Sequence, residues 1–107
     1  MEKLLQTFGR RRGRKLRPYL QELYEKLLPQ LRLNTQQQIT NISEVFPTKV
    51  EETWLEIGFG GGEHIKAQLD LNPNLGIIGC EPFANGVANL LKQLTPEDTQ
   101  RLRLQTD

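Results

Sequence analysis

The chain has 107 residues, enough for one small domain. Fourteen Lys and Arg against thirteen Asp and Glu leave a net charge of +1. No apolar run approaches the roughly 20 residues needed to span a bilayer, and the N-terminus lacks the apolar stretch of a signal peptide. A lone cysteine, Cys80, excludes an internal disulfide framework and fits a reducing cytoplasm. A lone histidine, His64, excludes a His-rich metal site.

The near-neutral total hides an asymmetry. Arg10, Arg11, Arg12, Arg14, Lys15 and Arg17 place six cations in eight positions, and the remaining eight basic residues face thirteen acidic ones, a net −5. Residues 1–17 therefore read as a basic arm on an acidic body. Such an arm either follows a polyanion backbone or is a solvated terminus that answers neighbouring acids.

Pro18 suits the first turn of a helix. Leu20, Leu23, Tyr24, Leu27, Leu28 and Leu31 then recur at helical spacing, which gives one apolar packing face. Pro29 is expected to end or kink that helix. Residues 32–46 are polar and glutamine-rich, with Ile39, Ile42, Val45 and Phe46 as anchors, and read as a weakly ordered connector up to Pro47. The expected division is an arm at 1–17, a helix and connector at 18–47, and an α/β unit at 48–107.

Within that unit strand and helix alternate. A strand is expected at about 53–58 and a helix from about Gly62 to Leu71, with Ile65 and Leu69 toward the sheet. Asn72-Pro73 stops that helix. The apolar run at 75–80 predicts a second, buried parallel strand. A helix from near Pro82 presents Val87, Leu90, Leu91 and Leu94. Thr95-Pro96-Glu97-Asp98 reads as a turn or a new helical start, and Leu102 and Leu104 alternate as in a third strand. The order β-α-β-α-β is half of a doubly wound sheet. A fold of this kind ordinarily needs more strands, so apolar surface on the first strand is expected to stay open.

Chemistry concentrates where the first strand ends, at Thr53-Trp54-Leu55-Glu56-Ile57-Gly58-Phe59-Gly60-Gly61-Gly62-Glu63-His64. This is not the dinucleotide fingerprint, because Glu63 stands where its third glycine belongs. Gly58, Gly60 and Gly62 let the chain reverse sharply and let a ligand lie against backbone N–H groups. Glu56 favours a cationic ligand over a pyrophosphate. The arrangement resembles the S-adenosylmethionine loop of Rossmann-like methyltransferases; the alternative is a glycine-rich turn that only joins strand to helix. Glu81 ends the second strand nineteen residues after Gly62. That is close to the spacing of about 20 for an acid that accepts ribose hydroxyls; by itself it would read as a solvated strand-end residue. His64 reads as a first-turn helix residue, and Cys80 as a small apolar one.

The loop, Ile78-Gly79-Cys80-Glu81-Pro82-Phe83, Asn85-Gly86-Val87 and the arm Phe8-Gly9-Arg10-Arg11-Arg12-Gly13-Arg14-Lys15-Leu16 together resemble the N-terminal portion of the bacterial tRNA (guanine-N7)-methyltransferase family. The resemblance implies a Rossmann-like fold of which this is the N-terminal half, and transfer of methyl from S-adenosylmethionine to guanine N7 in the tRNA variable loop. It implies cofactor contacts from Glu56, Gly58, Gly60 and Gly62 at the methionine end, from Glu81 at the ribose and from Asp107 or its neighbour near the adenine. It implies tRNA contacts from Arg10, Arg11, Arg12, Arg14 and Lys15, with no membrane or metal involved. The family's Pro-Asp-Pro-Trp segment, which carries its catalytic aspartate, is not among the 107 residues, so the chain is expected to be an inactive fragment. The competing expectations are a methyltransferase of the same fold with another substrate, and a non-catalytic RNA-binding module.

Overall fold

Three short parallel strands organise the molecule, and the computed structural model describes residues 15–36, 38 and 40–107. In chain order these are α1 (Pro18–Lys26), α2 (Leu28–Leu31), a 3₁₀ turn (Ile42–Val45), β1 (Glu52–Ile57), α3 (Glu63–Leu71), β2 (Leu75–Cys80), α4 (Ala84–Gln93), a second 3₁₀ turn (Asp98–Gln100) and β3 (Leu102–Gln105). The strands lie in the order β1-β2-β3, all parallel, with Ile57 opposite Cys80 and Cys80 opposite Gln105.

Local chemistry accounts for most of the boundaries. Pro18 opens α1, where its missing N–H has no helical partner to lose. Pro29 cannot donate back along the helix, so the run breaks at Leu27 and resumes as the single turn α2. Positive-φ Gly62 stands before α3, which starts at Glu63, one residue later than its expected Gly62. The first strand likewise spans 52–57 where 53–58 was expected, because Gly58 already has a positive φ of 72° and leaves the strand. The last helix begins at Ala84, two residues past Pro82, since Phe83 is still extended.

The helices share one sheet face. Leu75 and Ile77 of β2 and Leu102 and Leu104 of β3 pack with Ile65 and Leu69 of α3, with Val87, Leu90 and Leu91 of α4, and with Leu28 and Leu31 of α2. All of these are buried to 2% exposure or less. The opposite face is covered only in part, by Phe46 and Val50 over Ile78. There Gly76 is required by packing, since a Cβ would fall 2.6 Å from the Phe46 ring. Leu55 and Ile57 lie on this second face by alternation and register, and they are 63% and 76% exposed. The expectation of open apolar surface on the first strand is met.

The connector is better ordered than its composition suggests. Arg32 forms a parallel bridge with Leu104, and the Leu33 N–H donates to the Leu104 carbonyl at 2.8 Å, so residues 32–33 line the outer edge of β3. Asn41 caps the first 3₁₀ turn by accepting from the Ser43 N–H at 3.1 Å. Phe46 is a true anchor and Val45 a partial one, but Ile42 is half exposed; Ile39 lies outside the described residues.

Two buried polar hubs tie helix ends to the sheet. Arg101, 4% exposed, donates to the carbonyls of Leu69, Asn72 and Leu75 and pairs with Glu97. It thereby satisfies the Leu69 carbonyl at the end of α3, whose helical donor four residues on would be Pro73, which has no N–H. Asp98, 2% exposed, accepts from Lys66 at 2.6 Å and from the Thr95 N–H at 2.9 Å, while the Thr95 hydroxyl accepts from the Asp98 N–H. That reciprocal pair is a capping box, and it resolves Thr95-Pro96-Glu97-Asp98 as a helical start.

Candidate functional site

Parallel pairing brings the carboxyl ends of the strands to one edge of the sheet. The 58–62 loop leaves β1 there, Glu81 leaves β2, and Asp107 follows β3 by two residues. The expected cofactor residues thus lie along a single edge.

The loop conformation depends on glycine. Gly58, Gly60 and Gly62 have φ values of 72°, 60° and 82°, a region that side chains enter only at a cost. A Cβ on Gly58 or Gly60 would meet nothing within 4 Å, so both border open space. Gly62 differs, because its Cβ would lie 2.6 Å from Leu90. Between them Phe59 turns inward, 8% exposed, and joins the core.

Helix α4 clamps this loop, a feature that sequence reasoning missed. The side-chain amides of Asn89 and Gln93 donate to the Gly61 carbonyl at 2.7 and 3.0 Å. A Cβ on Gly86 would stand 2.2 Å from the Gly60 carbonyl oxygen, so the helix passes with backbone against backbone. The signal was present as Gly86, Asn89 and Gln93, spaced three and four apart on one helix stripe.

Glu81 seals the other side. Its Oε1 accepts from the Gly60 N–H at 2.8 Å and its Oε2 from the Phe83 N–H at 3.2 Å. A carboxylate offers about four lone-pair positions, so acceptor capacity remains on both oxygens. Glu56 is arranged differently. Its Oε1 meets Nδ1 of His64, on the first turn of α3, at 2.5 Å, while its Oε2 is buried with no partner. Both border an open groove of about 510 Å³ that Trp54 and Gln68 also line. His64 therefore does more than begin a helix.

The remaining expectations divide. Asp107 is exposed. Arg10, Arg11, Arg12 and Arg14 lie outside the described residues, and Lys15 is exposed just before α1. Burial pushes the Cys80 thiol up, away from the reactive thiolate. Among the described residues no group of three His, Cys, Asp or Glu is placed to hold a metal, and no helix is long and apolar enough to cross a membrane.

No family model matches the chain. Individual proteins do. Over 98 residues, 91% of this chain, it is 45% identical to the tRNA (guanine-N(7)-)-methyltransferase of Nitrobacter hamburgensis. Over the same span it is 44% identical to that of Brucella anthropi and 43% to that of Bradyrhizobium diazoefficiens. This chain is a homologue of tRNA (guanine-N(7)-)-methyltransferases. It spans about two fifths of the length of these curated relatives, covering 38%, 42% and 42% of them respectively. These relatives carry the name of the family that the glycine loop and the Gly-Cys-Glu-Pro-Phe continuation resemble, and the match covers only a portion of each.

Proposed function

We propose that this chain carries the cofactor-binding part of a tRNA (guanine-N7)-methyltransferase with a Rossmann-like fold. The observation that carries the reading is identity of 43–45% to proteins of that name over nine-tenths of the chain. The site supports S-adenosylmethionine as the cofactor in particular. The ligand has a cationic amino group and a sulfonium, and Glu56 offers a buried oxygen with no partner beside a loop whose Gly58 and Gly60 border open space. When bound, S-adenosylmethionine supplies an electrophilic methyl carbon on its sulfur.

In this reading Glu56 accepts from the cofactor's ammonium, and the loop at Gly58, Gly60 and Gly62 lets the amino-acid end approach the backbone. Glu81, fixed by the Gly60 and Phe83 amides, keeps lone pairs for the ribose hydroxyls, and Asp107 lies on the adenine side. Arg10, Arg11, Arg12, Arg14 and Lys15 follow the tRNA phosphate backbone, in a cytoplasmic enzyme. Guanine N7 is an unprotonated ring nitrogen, so its methylation rests on positioning more than on a strong base.

The test is methyl transfer by a polypeptide of the relatives' length that contains this chain. Label from S-adenosylmethionine is expected at N7 of a variable-loop guanine in tRNA. Label at another atom, or binding of tRNA with no transfer, overturns the reading in favour of another substrate or of a non-catalytic RNA-binding module.

A further inference from the structure

At the loop Glu56 pairs with His64 through one carboxylate oxygen and leaves the other over. Nδ1 of His64 meets Oε1 at 2.5 Å, and Oε2 is buried without a partner. A carboxylate only accepts, so this contact is a hydrogen bond when Nδ1 carries the proton. The imidazole is 64% exposed on its side chain and Glu56 27%, so the ring is an outer brace against a more enclosed carboxylate. A hydrogen bond to Oε1 opposes rotation of the carboxylate and so favours the placement in which Oε2 stays enclosed. A buried acceptor held empty is complementary to a ligand that brings its own N–H donors.

We propose that His64 is a positioning residue for cofactor binding: it holds one oxygen of Glu56 so that the other is presented to the ligand's ammonium. The proposal rests on the reading of this site as an S-adenosylmethionine site. It assigns His64 no part in the chemistry of transfer.

Two probes separate positioning from general support of the loop. S-Adenosylhomocysteine carries the ammonium; methylthioadenosine keeps the nucleoside and lacks the amino-acid end. Calorimetry uses a polypeptide of the relatives' length that contains this chain. The substitution His64→Ala is expected to weaken S-adenosylhomocysteine about tenfold, the scale of one hydrogen bond to a charged group, and to leave methylthioadenosine unchanged. His64→Asn, whose amide N–H reaches the same position, is expected to restore most of the loss. In a Glu56→Ala background the substitution at His64 should have no effect.

Because His64 is the only histidine, its ring nitrogens can be read directly by ¹⁵N NMR, and the neutral ring is expected to carry its proton on Nδ1. Equal weakening of both probes, no weakening of either, or a proton on Nε2 overturns the proposal. Failure of the unsubstituted protein to bind either probe overturns the cofactor reading itself, and this inference with it.

Discussion

Gly60 and Gly86 meet across the loop, and each is glycine for a separate reason. Gly60 has φ +60° with open space around it, whereas Gly86 has ordinary helical backbone but a carbonyl oxygen 2.2 Å from where its Cβ would stand. Alanine at Gly60 therefore pays only for conformation, about 1–2 kcal/mol, and leaves the loop in place. Alanine at Gly86 must push backbone aside, with a loss of about 1–3 kcal/mol and displacement of the amides that face the candidate ligand. Thermal unfolding with calorimetric binding should find Gly86→Ala weaker in both respects. Equal losses at the two positions would mean that α4 does not hold the loop. The contrast was hidden in the sequence, where both residues are simply glycine.

At the scale of elements, the second 3₁₀ turn has a titratable anchor. Burial pushes the Asp98 carboxyl up, but the Lys66 ammonium and the two Thr95 hydrogen bonds outweigh it and leave the pKa below its ordinary value. The folded state therefore binds this proton less readily than the unfolded chain does. The stability from Asp98 is complete above about pH 4 and is lost as pH falls from there through the lower folded value. Urea midpoints measured from pH 7 down to about pH 3 should fall, and Asp98→Asn should start lower and fall less steeply. An unchanged slope would place the acid sensitivity elsewhere. The same region marks the limit of sequence reasoning. Strand β2 was legible to the residue because its apolar run is local and bounded by Asn72-Pro73-Asn74 and Glu81. Lys66 with Asp98, Arg101 with Leu69, and Asn89 with Gly61 were not legible, since their partners lie 32, 32 and 28 residues away. The glycine loop and both acids could be placed at the strand ends from sequence because strand end, turn and acid follow one another in the chain.

For the whole molecule, apolar side chains of β1 are exposed on both sides of the sheet, Leu55 and Ile57 together on one face and Trp54 on the other. Contiguous apolar surface beside an unpaired strand edge favours association. Sedimentation of the 107-residue chain should show concentration-dependent oligomers, and threonine at both Leu55 and Ile57 should reduce them. Stability should change by about 0.5 kcal/mol or less at each of these solvent-facing positions, so a large loss on substitution, or a strictly monomeric parent, would contradict the exposed face. The two sheet margins are not equivalent. Residues 32–33 occupy the outer side of β3, while among the described residues no strand pairs with the outer side of β1. Strand order follows chain order away from β1, so any additional strand must enter on the side opposite to the direction in which β2 and β3 were laid down. The winding would then reverse at β1. Open α/β sheets hold ligands in the crevice that such a reversal opens beyond the strand ends, and here that crevice would open directly over the 58–62 loop.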